Sequence, residues 1–153
     1  MELSDRLSPP AEERLLGLFD RLRQLMLGQH PLEDSGVTGP QLALLDWVAA
    51  SSGCGIQEIA DGLGLTAPTV SVGVRRLQEA ELLERQPDPA DGRAIRLFLT
   101  PQGQTLQQRA RAFRLDKMRR LLAGLESEEQ EVLLALLERA VSTAETTEGE
   151  KHA

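Results

Sequence analysis

Apolar residues recur along most of this chain at helical spacing, and polar breakers divide the pattern into segments. Ser8, Pro9 and Pro10 form a start signal. Leu15, Leu18, Phe19, Leu22, Leu25 and Met26 then fall on one helical face until "GQHPLEDSG" ends the pattern, which predicts a helix from Pro9 to Gly28. Thr38 and Gln41 have capping-box spacing, and Leu42, Leu45, Trp47 and Val48 give the next helix its buried side before "SSGCG" stops it. Thr100 and Pro101 open a long helix containing Leu106, Ala110, Phe113, Met118, Leu121 and Leu125. Ser127 and Gln130 are spaced to cap a last one containing Val132, Leu133, Leu136, Leu137 and Val141. The tail "TAETTEGEKHA" has no apolar stripe and reads as disordered. The fold class is mainly α, without internal repeats.

The middle of the chain has a different grammar. Ile56, Ile59, Ala60 and Leu63 make a two-turn stripe, "GLGLT" supplies a tight turn, and Thr66 caps a second helix with Pro68 in its first turn. That is helix-turn-helix patterning. In the second helix Val70, Val74 and Leu77 face one way, while Pro68, Val72, Arg75 and Arg76 face the other, flanked by Thr69 and Ser71. Small, hydroxylated and basic side chains suit a major groove about 12 Å wide: they permit close approach, bond phosphates and let arginine read guanine. An ordinary surface helix accounts for the same composition.

"LLERQ" and "AIRLFLT" then alternate as two antiparallel strands, with Ile95, Leu97 and Leu99 on one face and Arg96 and Phe98 on the other. Their loop "PDPADGRA" makes a hairpin beside the second helix, in effect a wing. Arg93 stands at its tip, where an arginine can enter a narrow A·T-rich minor groove. Asp91 is placed to accept a hydrogen bond from Arg93, and a local surface salt bridge is the plainer account of the two.

Charge supports one basic surface. The net charge is −7, yet residues 75–120 carry 11 basic and 6 acidic side chains, against 4 and 10 in residues 1–74 and 2 and 8 in residues 121–153. A solvated helix face is the alternative reading of that basic block. No membrane span or leader pattern is apparent, so a cytoplasmic protein is expected. The single Cys54 excludes an intrachain disulfide and a multi-cysteine metal site.

Enzymatic chemistry has little to work with. His30 and His152 are the only histidines, so no Ser-His-Asp or Cys-His set can be assembled. Glu126, Glu128, Glu129 and Glu131 gather at a helix start, where the helix dipole favours them. Phosphate loops, dinucleotide fingerprints and metal-ligand pairs are absent. No catalytic residue, metal or cofactor is expected.

The ordered set "TVS", "Leu-x-x-Ala-x-Leu-Leu-x-Arg", the Asp91-x-Arg93 wing and "Leu-Thr-Pro-x-Gly" resembles the multiple antibiotic resistance regulator (MarR) family of winged-helix transcription factors, over about Leu15 to Val141. The resemblance implies a winged helix-turn-helix lobe over residues 38–100, with helices in 9–28 and 101–145 joining two copies into a homodimer. It implies a regulator, typically a repressor, on double-stranded DNA with a pseudo-palindromic operator, released by a small aromatic or phenolic ligand or an oxidant. Thr66, Thr69, Ser71 and Arg75 match recognition-helix positions, and Asp91 and Arg93 match the wing. His30, Trp47 and Phe113 are candidate lining residues of a ligand pocket, with core packing the alternative for the two aromatics. Three departures stand out. Val72 replaces a frequent arginine, which shifts base readout towards apolar contact with a thymine methyl. Gly92 replaces the common first arginine of the wing. Glu81 replaces a helix-ending glycine, at a cost of about 1 kcal/mol if the position is left-handed. A protein-interaction module without DNA binding, and a thiol-based redox sensor acting through Cys54, are the alternative functions.

Overall fold

A computed structural model describes residues 9–26 and 34–151, apart from the side chains of Glu150 and Lys151. The element order is α1 (Ala11–Met26), α2 (Gly39–Ala50), α3 (Ile56–Leu63), α4 (Ala67–Glu79), β1 (Leu83–Pro87), β2 (Ile95–Leu99), α5 (Pro101–Leu122) and α6 (Ser127–Lys151). The mainly α expectation, with one β-hairpin, holds. Gly28 and His30 lie outside the described residues. No described helix is long and apolar enough to cross a membrane.

The chain forms two compact units, Met1–Arg114 and Leu115–Ala153. The core of the first is Leu44, Leu45 and Val48 of α2, Ile59 and Ala60 of α3, Val70, Val74 and Leu77 of α4, and Leu82, Leu83 and Leu97 around the hairpin. Leu44 is buried too, although helical periodicity had singled out Leu42, Leu45, Trp47 and Val48. The reason is local: Gly73 of α4 has no side chain, and a Cβ there would strike Leu44, so the two helices approach closely at that point. The expected Thr38 capping box is present, with the Thr38 hydroxyl accepting from Gln41 N–H and the Gln41 side chain accepting from Thr38 N–H at 3.0 Å. By contrast α1 buries none of its residues, and Leu15, Leu16, Leu18, Phe19 and Leu25 are exposed.

In the second unit α6 differs from expectation at both ends. Ser127 and Gln130 do not form a capping box. Glu129 accepts from the Glu126 N–H at 2.8 Å, and the Gln130 amide reaches back to the Leu122 and Leu125 carbonyls, which the end of α5 leaves unpaired. The tail is helical to Lys151 rather than disordered. Thr143, Thr146 and Thr147 donate their hydroxyls to the carbonyls four residues earlier, and extending a formed helix is far easier than starting one. Val132, Leu134, Leu136, Leu137 and Val141 are exposed along α6.

Candidate nucleic-acid interface

Helices α3 and α4 meet through a turn that the sequence dictates. Gly64 ends α3 in the left-handed region, φ 64°, and its N–H and that of Leu65 return to the Ala60 carbonyl. Thr66 then caps α4: its hydroxyl accepts from Thr69 N–H and lies 2.8 Å from the Thr69 hydroxyl. Val70, Val74 and Leu77 pin the helix to the core. The opposite face is left to solvent, with Pro68, Thr69, Val72, Arg75 and Arg76 exposed and Ser71 half-buried at its edge. Among the described residues, no ion pair engages Arg75, Arg76 or Arg93, so three guanidinium groups are available to an outside anion.

The exit from α4 is fixed to α5. Glu81 has φ 59°, the single non-glycine residue of positive φ among those described. The Thr100 hydroxyl donates to the Glu81 carbonyl at 2.6 Å and accepts from Gly103 N–H at 3.0 Å, while Thr100 N–H bonds the Leu82 carbonyl. A Cβ at Gly103 would collide with that carbonyl. One threonine therefore caps α5 and holds the strained turn that orients α4 and the hairpin.

The hairpin pairs in register, Leu83 opposite Leu99 and Pro87 opposite Ile95. A bridge from Cys54 to Leu97 adds a short third edge beside the middle of β2. Only part of the expected inward face is covered: Leu97 is fully buried and Leu99 half-buried, whereas Ile95 is 37% exposed. Two aspartates stiffen the loop. Asp88 accepts from Ala90 N–H at 2.8 Å and from the Arg96 side chain at 3.1 Å, and its pKa is lowered, first by the Ala90 amide. Asp91 accepts from Arg93 N–H at 3.0 Å. This corrects the expectation of an Asp91 bond to the Arg93 guanidinium, because the short carboxylate is captured by the nearest amide in a turn of its own. Gly92 has no positive φ and open space where a Cβ would sit, so its backbone does not require glycine.

Two of the three candidate ligand-lining residues can be placed. Trp47 is half-buried against the core, its ring closely apposed to Gly62 and its indole Nε1 buried without a partner; Phe113 is half-buried on α5. His30 lies outside the described residues. A cavity of about 500 Å³ is lined by Asp34, Ser35, Leu82, Thr105, Leu106 and Arg109, and neither aromatic belongs to its wall. Cys54 is 3% exposed, and burial, then the nearby Glu58 carboxylate, raise its thiol pKa. Both effects keep the thiol neutral and inert, which argues against a redox sensor. Sequence reasoning missed the contact between α2 and α5, where Asp46 accepts from Gln107 and from Arg114. A lone carboxylate inside the apolar run "ALLDWVAA" was the available signal.

A helix-turn-helix with a basic outward face and an attached hairpin defines a winged-helix protein. The MarR family model matches residues 35–94, which run from α2 through the helix-turn-helix and β1 to the wing loop and stop just before β2. The chain is 30% identical to the PcaV transcriptional regulator from Streptomyces coelicolor, with 85% of this chain and 96% of that one covered and a TM-score of 0.64. It is 28% identical to the transcriptional repressor MdtR of Bacillus subtilis, over 97% of this chain and 94% of the relative. A variant of S. aureus MepR solved bound to an oligodeoxyribonucleotide is 25% identical, with 90% and 99% covered and a TM-score of 0.62. The chain belongs to the MarR family of winged-helix transcriptional regulators. It is a DNA-binding regulator and not an enzyme.

Proposed function

We propose that the chain is a homodimeric repressor that binds a pseudo-palindromic operator and releases it on binding a small aromatic or phenolic ligand. One observation carries the DNA-binding half of this reading: Pro68, Thr69, Val72, Arg75 and Arg76 share the exposed face of α4, beside a hairpin tip bearing Arg93. In this reading α4 lies in the major groove, Thr66, Thr69 and Ser71 bond phosphates, Arg75 reads guanine, Arg76 adds positive charge, and Asp91 shapes the loop that presents Arg93 to the flanking minor groove. Residues 38–100 are the DNA-binding lobe. Residues 9–28 and 101–145 supply the dimer contacts, a role supported by the apolar rows that α1 and α6 leave exposed.

The ligand part of the reading draws on one relative that binds a ligand. PcaV was also solved in complex with its natural ligand, at 28% identity and TM-score 0.61, with 87% of this chain and 90% of that one covered. The cavity beside Arg109 falls within the usual range for small-molecule sites, about 300 to 1,000 Å³. Its Arg109 and Thr105 suit an acidic or phenolic group. The test is selection of duplexes from a random pool by the full-length protein, with light scattering on the free and bound forms. A dimer enriching a two-fold-related site, whose affinity falls steeply with salt, is the expected result. A monomer, or indifference to both sequence and salt, would sink the reading and favour a protein-interaction module.

A further inference from the structure

Of the large apolar side chains in α4, Val70, Val74 and Leu77 are buried and Val72 is 42% exposed. A β-branched residue in a water-exposed helix interior lowers helix propensity and gains nothing from burial. Isolated exposed apolar residues are ordinary, so position has to decide the matter. Gly73 turns towards Leu44, and Val70 and Val74 enter the core. At about 100° per residue, measured from the buried Val70, Val74 and Leu77, Val72 lies within about 15° and Pro68 within about 30° of the line opposite that core, with Arg75 and Arg76 about 50° to either side. Val72 is thus at the centre of the outward face. Its helical neighbours there are the ring of Pro68, the hydroxyl of Thr69 and the guanidinium groups of Arg75 and Arg76, which form no ion pair among the described residues.

Such a spot has an apolar centre and a polar rim. Valine has no donor or acceptor, so it cannot read the hydrogen-bonding edge of a base. What it can recognise in a major groove is an apolar group, and the C5-methyl of thymine is the one B-DNA presents. Thr69 and the arginines would hold the helix on the phosphates and neighbouring bases while the two sets of methyl groups exclude water. We propose that Val72 is a specificity-determining residue that recognises the C5-methyl of one thymine in each operator half-site. This rests on the reading of α4 as the helix that enters the major groove.

Removing the thymine methyl forfeits roughly one buried methylene of transfer free energy, about fourfold in affinity per half-site and about fifteenfold for both. The experiment takes the best duplex selected by the full-length protein and replaces each thymine in turn by deoxyuridine, which deletes the methyl and keeps the pairing. One position per half-site is expected to show the fourfold loss. Val72→Ala, which removes a solvent-facing side chain and favours the helix, should bind the thymine duplex more weakly and be indifferent to uracil at that position. When cytosine is placed there, 5-methylcytosine should restore part of the affinity of the wild type and none for Val72→Ala. The assignment is overturned if no thymine is sensitive to uracil, if Val72→Ala keeps the sensitivity, or if methylated and plain cytosine bind alike. Failure to enrich any duplex would instead overturn the DNA-binding reading, and this assignment with it.

Discussion

Arg114 grips Asp46 through two parallel hydrogen bonds of 2.8 Å, joining α5 to α2 across 68 residues of sequence. Gln107, only 7% exposed, donates to the same carboxylate at 2.9 Å. The pair is partly open to solvent, with side-chain exposures of 39% and 29%, so screening reduces its Coulombic share. Geometry contributes the rest, because a planar fork matches a carboxylate in a way an ammonium cannot.

Asp46→Ala is accordingly expected to destabilise the fold by about 1 to 2 kcal/mol, since it also leaves the Gln107 amide buried without its acceptor. Arg114→Lys should recover little of what Arg114→Ala loses. Urea denaturation checks both. A lysine variant as stable as wild type would mean that charge alone, and not the two-pronged contact, joins the helices.

Glu81 occupies a left-handed backbone conformation that favours glycine. Glu81→Gly should therefore stabilise the protein, by about 0.5 to 1 kcal/mol once the extra freedom of glycine in the unfolded chain is deducted. Thermal unfolding measures it. Destabilisation would indicate that the Glu81 side chain makes up for its backbone, and that the Thr100 bond to its carbonyl is insufficient to hold the turn.

Legibility in the sequence followed the range of the interaction. The Thr38 box, the Thr66 cap, the buried stripe of Val70, Val74 and Leu77, and the strand pairing depend on residues close in sequence, and patterning revealed them. The Asp46–Arg114 contact joins elements 68 residues apart, and no local rule relates them. Close helix approach at Gly73, which buries Leu44, is likewise a tertiary event. At the candidate interface the residue types and their shared face were readable, but the partner of Asp91 was not, because the backbone amide and the side chain of Arg93, two residues on, compete for the same carboxylate and residue types alone do not decide between them. The tail failed for another reason: composition undervalues a helix that is already running.

Cys54 should behave as a core residue. Its pKa is raised, so the thiolate is scarce at neutral pH, and labelling should accelerate only when the pH climbs past the ordinary thiol range of about 8.5. Thiol titration with a coloured disulfide across pH 6 to 10 reads this directly. Cys54→Ser should leave DNA affinity unchanged and insensitive to peroxide. Rapid labelling of the native protein at pH 7, or peroxide-dependent release of DNA that Cys54→Ser abolishes, would revive the redox reading.

The wing should keep its shape across the physiological pH range. Asp88 has a lowered pKa in the folded protein, so its contribution is complete above the unfolded value of about 3.9 and is lost as the pH falls through the lower folded value. Operator affinity should therefore show no Asp88-dependent step between pH 5 and 8. Asp88→Asn should weaken binding at every pH in that window, because it removes the Arg96 ion pair at the loop end of the hairpin and loosens the loop. A step near pH 6 in wild type that the variant lacks would contradict this account.

Arg93 is the wing's probe, and its freedom is the reason. Asp91 is committed to the Arg93 backbone amide and Asp88 to Arg96, so the Arg93 guanidinium extends from a stiffened loop without an internal partner among the described residues. In a narrow A·T-rich minor groove it meets an enhanced negative potential, which a wider G·C-rich groove does not provide. Arg93→Ala should cost on the order of 1 kcal/mol per half-site on an operator with A·T flanks, and much less when those flanks are G·C. Asp91→Ala should lose less in the same direction, since it relaxes the loop and leaves the charge in place. Gly92→Arg, entering open space at a position with no need of glycine, should strengthen binding and flatten the dependence on flank sequence. Fluorescence anisotropy at fixed salt, arranged as a double-mutant cycle between protein and flank, separates these effects. Additive losses in the cycle would show that Arg93 contributes only general attraction to phosphate and does not sense the groove.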